Sequence, residues 1–226
     1  MIIKSTKKLL HINGDHYNEK KTTMKIYKQL KLEIKKRYYL EEIFIDDSYL
    51  NFINNCIGCK TCFKTGNCIY DNKDGIIEIK NKLLGANIIV ISTPIFIDNI
   101  SGNLKTLFDR LSYWFHTMPL KGKKCILIIS TYRTGINEVS NYLYKICSYL
   151  GLEVVGLITS DYKTTKNVLC NEIDISLDYL ETGLLKKCTN VAYSDYIYNL
   201  YDKLYKDMLK NNLITFELAY WCKLHQ

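Results

Sequence analysis

NIIVISTPIFIDNISGNLKTLFDRL, residues 87–111, reads as three units in succession. Asn87 to Ser92 is a continuous β-branched run, the pattern of a strand buried on both faces of a parallel sheet. Thr93 to Asn99 is a loop holding one of the chain's two prolines. Leu104, Leu107, Phe108, Leu111, Trp114 and Phe115 then follow the i, i+3, i+4, i+7 spacing of a helix with one apolar face. Strand, loop, helix is the grammar of an α/β fold, and the rest of the chain repeats it.

Upstream, Lys8 to Asn13 is a short apolar strand, Gly14 to Lys21 a polar loop and Thr22 to Arg37 a helix. A strand that reaches a helix through a glycine-bearing loop presents backbone N–H groups to a phosphate. Tyr39 to Ile45 (YLEEIFI) alternates as a second strand, nearer an edge. Asp74 is placed to cap a helix carrying Ile76, Ile77, Ile79, Leu83 and Leu84, with Gly85 as a C-terminal glycine cap. Downstream, Lys124 to Ser130 (KCILIIS) is another buried strand, Thr131 to Gly135 a loop, and a helix follows to Leu150, ended by Gly151. Glu153 to Thr159 (EVVGLIT) is the fifth strand.

Five apolar strands alternating with helices predict a doubly wound α/β domain with a parallel sheet. With right-handed crossovers, the order 2-1-3-4-5 gathers the loops that begin at Asn13, Thr93 and Ser130 at the carboxyl edge, where such sheets bind ligands. Residues beyond 160 exceed what five strands need. There, Ile197, Leu200, Tyr201, Leu204 and Met208 mark one helix and Phe216 to Leu224 another. They would cover the sheet or form a subunit contact, the aromatic end (Phe216, Tyr220, Trp221) leaning toward an interface. The expected organisation is a sheet domain over 1–160 and a helical extension over 161–226.

Between the second and third strands, Cys56, Cys59, Cys62 and Cys68 fall within thirteen residues, with glycines at 58 and 66 that let the segment fold back. Three thiolates at x2 spacing with a fourth close by is a compact arrangement that wraps an iron–sulfur cluster, although no proline follows the last cysteine. Zinc suits the spacing less, because paired knuckles need a longer insert. Free or redox-active thiols are the third reading. Cys125 and Cys147 lie in apolar periodic segments and read as core, while Cys170, Cys188 and Cys222 stand singly.

The 226 residues carry a formal net charge of +8. The basic residues are dispersed, and the densest group, from Lys20 to Arg37, has the spacing of a solvated helix face; with no accompanying motif, nucleic acid is not an expected partner. The apolar run after Met1 to Lys8 is far too short for a signal segment and no later run approaches a membrane span, so the expected location is the cytoplasm. In that compartment an odd nine cysteines will not build a disulfide framework. His11, His16, His116 and His225 show no paired metal spacing.

Residues 93 to 111, TPIFIDNISGNLKTLFDRL, resemble the flavin-loop-and-helix signature of the NAD(P)H-dependent FMN reductase family, flavodoxin-like in fold. The segment from Cys56 through Cys68 to Asp74 resembles the same region of its iron–sulfur flavoprotein branch. The similarity covers residues 7 to 160. It implies non-covalent FMN with its ring against the backbone of Thr93, Pro94, Ile95, Phe96, Ile97 and Asn99, flanked by Ser130, Thr131, Arg133 and Gly135. Backbone N–H groups there would tune a ring that itself carries the chemistry. Asn99 or Ser101 is placed to cap the helix that follows, and Lys105, Asp109 and Arg110 read as a structural ion-pair set. Phe96 stands where tyrosine is common. The loop after the first strand departs from the family's Ser/Thr-rich pattern: Asp15 and Glu19 would repel a phosphate unless turned away, leaving Thr22 and Thr23 as its donors.

The leading expectation is an FMN-dependent oxidoreductase with a [4Fe–4S] cluster on Cys56, Cys59, Cys62 and Cys68, linking NAD(P)H or a ferredoxin-type donor to a small-molecule or protein acceptor. The alternatives are a cluster-free NAD(P)H-dependent quinone, nitro or FMN reductase, and a non-enzymatic family member. The resemblance implies a homodimer or homotetramer, and the cysteine insert is expected to approach the carboxyl edge of the sheet, where a flavin ring would sit, in this subunit or across a dimer.

Overall fold

Successive residues of the apolar strands point to opposite faces, and each face feeds its own core. The computed structural model describes residues 4–16, 18, 20–182 and 189–225, the side chains of 189–193 excepted. In order these form β1 (Thr6–Asn13), α1 (Thr22–Arg37), β2 (Tyr39–Ile45), α2 (Asp47–Leu50), α3 (Thr61–Thr65), α4 (Ile76–Gly85), β3 (Ile88–Pro94), α5 (Gly102–Arg110), α6 (Trp114–Thr117), β4 (Lys124–Ser130), α7 (Ile136–Leu150), β5 (Glu153–Ser160), α8 (Lys166–Thr182), α9 (Thr189–Lys210) and α10 (Phe216–His225). The strands make one sheet in the order β2-β1-β3-β4-β5, every neighbouring pair parallel.

Leu10, Ile12, Ile89, Ile91, Leu127 and Ile129 pack with α4, α5 and α7. Leu9, Ile88, Val90, Ile126, Ile128, Val155 and Ile158 pack with α1 and α8. Part of the chain beyond 160 covers the sheet, through a helix that the weakened pattern after Ser160 does not announce. Ile173, Leu177 and Leu180 of α8 cover the β4–β5 half of the α1 face, which would otherwise lie open to water. The sheet's own cover thus runs to Thr182. The last two helices form a third cluster of Met118, Ile197, Tyr205, Leu218 and Trp221. Trp221 is only 2% exposed, so it is spent within its own chain rather than kept for an interface.

Other boundaries differ in small ways. Gly85 is the last residue of α4, and the capping position is taken by an extended Ala86, so no glycine cap is used. The helix after the flavin-type loop stops at Arg110 and resumes as the single turn α6. Ser101, not Asn99, caps α5, its hydroxyl accepting the Leu104 N–H at 3.4 Å. Cys188 and Glu19 lie outside the described residues.

A buried polar chain fixes the exit of β1. His11 has no exposed surface and stacks on Tyr27 of α1 at 3.7 Å. Its Nε2 is 2.8 Å from the Ser92 hydroxyl, which donates to Asn13 Oδ1 at 3.0 Å. With that proton committed, Nε2–H must be the donor to Ser92, leaving the imidazole neutral and its buried Nδ1 without a partner. Asn13 then holds the next turn, accepting the Asp15 N–H at 3.3 Å and donating to the Asp15 carbonyl at 3.0 Å.

Burial, and secondarily the charge of Lys31, brings the His11 pKa down to about 3. Below the unfolded value of about 6.5, the unfolded chain takes up a proton that the folded chain refuses. The stability is fully present above that value and should decline on acidification by up to about 1.4 kcal/mol per pH unit from this residue. Urea unfolding of the wild type and His11→Gln over about pH 4.5 to 8 checks it: the variant should lose the His11 part of the slope below about pH 6.5.

Candidate functional site

The loop that leaves β3 is closed on itself. Phe96 N donates to Asn99 O at 2.8 Å and Asn99 N to Phe96 O at 3.0 Å, enclosing the two-residue turn Ile97-Asp98. Both residues have left-handed backbones, φ 48° and 54°. For a β-branched isoleucine that is a strained conformation, and the side chain gains no burial in return, being 100% exposed.

The neighbouring loop holds this turn down. Asp98 Oδ1 accepts from the Thr134 hydroxyl at 3.3 Å, and Ile95 N donates to Ser130 O at 2.9 Å. A Cβ on Gly135 would stand 2.7 Å from Asp98 Oδ1 and 2.8 Å from Ile95 Cγ2, so only glycine fits under the turn. The Thr93 hydroxyl bonds the loop's own backbone, donating to Pro94 O at 2.8 Å and accepting from Ser101 N at 3.4 Å, and Asn99 Oδ1 accepts the Ile100 N–H at 2.8 Å. Thr131 closes the second loop, donating to Thr134 O at 2.8 Å and accepting from Arg133 N at 3.3 Å. The Arg133 guanidinium stands over the exposed Tyr132 ring at 5.6 Å. The carboxyl edge therefore presents Phe96, Ile97, Tyr132 and Tyr162, each more than half exposed.

Gly14 N donates to Ser92 O at 2.7 Å, which brings the β1–α1 loop to the same edge. Thr22 faces solvent, whereas Thr23 is buried with its hydroxyl donating to Asp15 Oδ2 at 3.4 Å. Asp15 has turned inward onto the first turn of α1.

The four clustered cysteines meet at a different place. Cys56, Cys59, Cys62 and Cys68 line one cavity of about 70 Å³ together with Gly58, Tyr70 and Ser112. Left-handed backbone at Gly58, Lys60 and Gly66 folds the segment around it. Burial pushes the Cys62 thiol up, with further contributions from Cys68, Cys56 and Cys59, so the four sulfurs lie within electrostatic reach of one another. The Thr61 hydroxyl and N–H pull Cys59 down. Among the described residues, no three His, Cys, Asp or Glu side chains are gathered tightly enough to grip a metal ion.

What holds this cavity was not read from the sequence. Arg110, on the edge of the apolar stripe of α5, has a side chain with no exposed surface. It donates to Asp74 Oδ2 at 2.6 Å and to Asn54 O at 2.8 Å, and the Asn54 N–H returns to Asp74 Oδ2 at 2.9 Å. Asp71, 3.8 Å from the same guanidinium, accepts from Lys80 at 2.6 Å and from the Cys68 N–H at 2.9 Å. Asp74 is thus chiefly an ion-pair partner and does not hold the cap position, which is Gly75; its other oxygen accepts the Ile76 N–H at 3.2 Å. Lys105 pairs separately with Asp109 at 2.5 Å on the surface. The ring edge of Phe216 of α10 points at Gly66, where any side chain would collide with it. An arginine flanking an apolar helix stripe, with two aspartates just beyond the last clustered cysteine, was the available signal.

The cysteine cavity touches Ser112, past the end of α5, while the strained turn lies ahead of its start. The two places are separated by the nine-residue helix, about 13 Å at 1.5 Å per residue. Within one chain the cysteines therefore do not lie beside the carboxyl edge: the insert descends along α5, through Asn51–Asn103 and Asn55–Thr106 contacts, toward the helix's far end.

The sequence profile of the NADPH-dependent FMN reductases matches residues 8–161. Two iron–sulfur flavoproteins of Archaeoglobus fulgidus are similar. One is 27% identical over 120 residues, 53% of this chain and 52% of the relative, and the other 37% identical over 103 residues, 46% and 48%. The chain thus spans about half the length of these relatives. An apo NADH:FMN oxidoreductase shares the fold, with a TM-score of 0.55 and 17% identity over 76% of this chain and 89% of the other. Because the profile takes in the whole five-stranded sheet and both interlocked loops, the chain belongs to the NADPH-dependent FMN reductase family.

Proposed function

We propose that this chain is a flavin-dependent oxidoreductase whose Cys56, Cys59, Cys62 and Cys68 hold a [4Fe–4S] cluster. The observation that carries the reading is the convergence of the four cysteines on one cavity in a chain that also has the flavin-type loops. The fit rests on four thiols lining one cavity within electrostatic reach of one another. FMN accepts electrons as a hydride pair and releases them singly, and a cluster carries one at a time. The donor would be NAD(P)H or a ferredoxin-type protein, the acceptor a small molecule or a second protein.

For the chain's own residues, the roles are positional. The backbone of Thr93 to Asn99, stiffened by Pro94 and held by Gly135 and Thr134, would flank the ring, with Ser130, Thr131 and Arg133 beside it. Arg110 and Asp74 would hold the cysteine segment in its folded-back shape. The exposed Phe96, Ile97, Tyr132 and Tyr162 form an apolar rim suited to coverage by a second copy, in keeping with a homodimer or homotetramer. No helix among the described residues is long and apolar enough to cross a membrane, and a cytoplasmic location suits unpaired, clustered cysteines. A second reading, a cluster-free reductase with plain thiols, draws on the exposure of Cys56 and Cys59.

Anaerobic purification with flavin, iron and sulfide quantification separates the readings. We expect one flavin and about four iron and four sulfide per chain; flavin with no iron or sulfide selects the second reading, and iron-free, colourless protein sinks the first. Cys59→Ser should abolish iron and leave flavin in place; loss of both would mean that the cysteine segment is mainly structural. Arg110→Met strands the buried Asp74 carboxylate and should destabilise the chain by about 3–5 kcal/mol in urea unfolding. The same variant should lower iron content while flavin binding persists in the folded fraction.

A further inference from the structure

We propose that Asp15 sets the flavin preference of this chain by occupying the place at the start of α1 where a flavin phosphate would be received. The proposal rests on the flavin reading and concerns the end of the site where the sequence leaves the family pattern.

Helix α1 begins at Lys21 with no side-chain cap and no acidic residue in its first turn. Its leading N–H groups carry the positive end of the helix dipole and suit an anion. Asp15 supplies one from within the chain. It is 7% exposed, its Oδ2 accepts from the Thr23 hydroxyl at 3.4 Å, and its Oδ1 faces the Lys21 ammonium at 3.5 Å. Thr23 is the buried one of the two threonines suited to bind a phosphate, and its hydroxyl is engaged.

The carboxylate is not free to swing away with its backbone. Asn13 grips both the N–H and the carbonyl of Asp15, and Asn13 is itself held by the buried Ser92 and His11. A phosphate dianion entering here would meet a negative charge held at the buried Asp15, and Lys21 would be shared between the two anions. Like charges so placed repel strongly. A ribityl chain ending in a neutral hydroxyl meets no such cost. Asp15 is therefore a specificity-determining residue: it takes from the phosphate the advantage that an uncapped helix start would otherwise offer, and it admits riboflavin on nearly equal terms with FMN.

The test is a titration of the flavin-stripped full chain with FMN and with riboflavin, followed by quenching of flavin fluorescence, for wild type, Asp15→Asn and Asp15→Ser. Wild type should bind the two flavins within about threefold of each other. Each substitution should tighten FMN by at least about tenfold and leave riboflavin within about twofold. The unchanged riboflavin affinity also reports that the variants are folded. A wild type that prefers FMN by more than about a hundredfold overturns the proposal. So does an FMN-to-riboflavin ratio unmoved by either substitution, or a parallel weakening of both flavins, which would make Asp15 a structural support. Binding of neither flavin by any of the three proteins overturns it together with the flavin reading.

Discussion

The fully buried Arg110 guanidinium, paired with Asp74, is the interaction on which the cysteine cavity depends. Removing a guanidinium and a carboxylate from water is costly, and the pair recovers that cost only because each partner finds further hydrogen bonds. Here Arg110 also reaches Asn54 O, and Asp74 also takes the Asn54 and Ile76 N–H groups. The set joins the entry to the cysteine segment, the start of α4 and the end of α5 at one point. Asp71 extends it by accepting the Cys68 N–H, so the last cysteine is fixed through the same charges. A ring of apolar residues could supply comparable stability, but it could not specify where four thiols should stand.

The carboxyl edge obeys a different constraint, because strain there is stored in backbone. Ile97 adopts a left-handed φ while its side chain is fully exposed, and the cost is offset by contacts of its neighbours with Thr134 and Gly135. An outlier held by its surroundings is what a preorganised binding loop requires. The two candidate places are thus built by different means, and α5 joins them: Ser101 caps its start beside the strained turn, and Arg110 ends it beside the cysteines.

Much of the sheet was legible, since a parallel sheet covered on both faces demands long apolar strands. NIIVIS and KCILIIS could be assigned with their boundaries nearly right, and α1 and β2 matched to the residue. The whole of α8 was missed, although Ile173, Leu177 and Leu180 keep helical spacing, because the apolar pattern weakens after Ser160 and five strands seemed to complete the fold before it. The grouping of the four cysteines was visible in their spacing. Their distance from the carboxyl edge was not, because it depends on how the Asn51 to Asn55 segment runs down α5.

By itself the sequence determined the five strands, their alternation with helices and the grouping of four cysteines, and it left few strand orders open, since periodicity and local spacing are properties of neighbours along the chain. Only the tertiary structure decided that Asp15 turns inward onto Thr23 and Lys21, that Arg110 of the expected ion-pair set pairs with Asp74 and not with Lys105's partner Asp109, and that Phe216 meets Gly66. Those outcomes join residues far apart in the chain, or turn on which way a charged side chain points. Whether a charge faces water or a buried partner depends on what else has packed around it, and no local pattern records that.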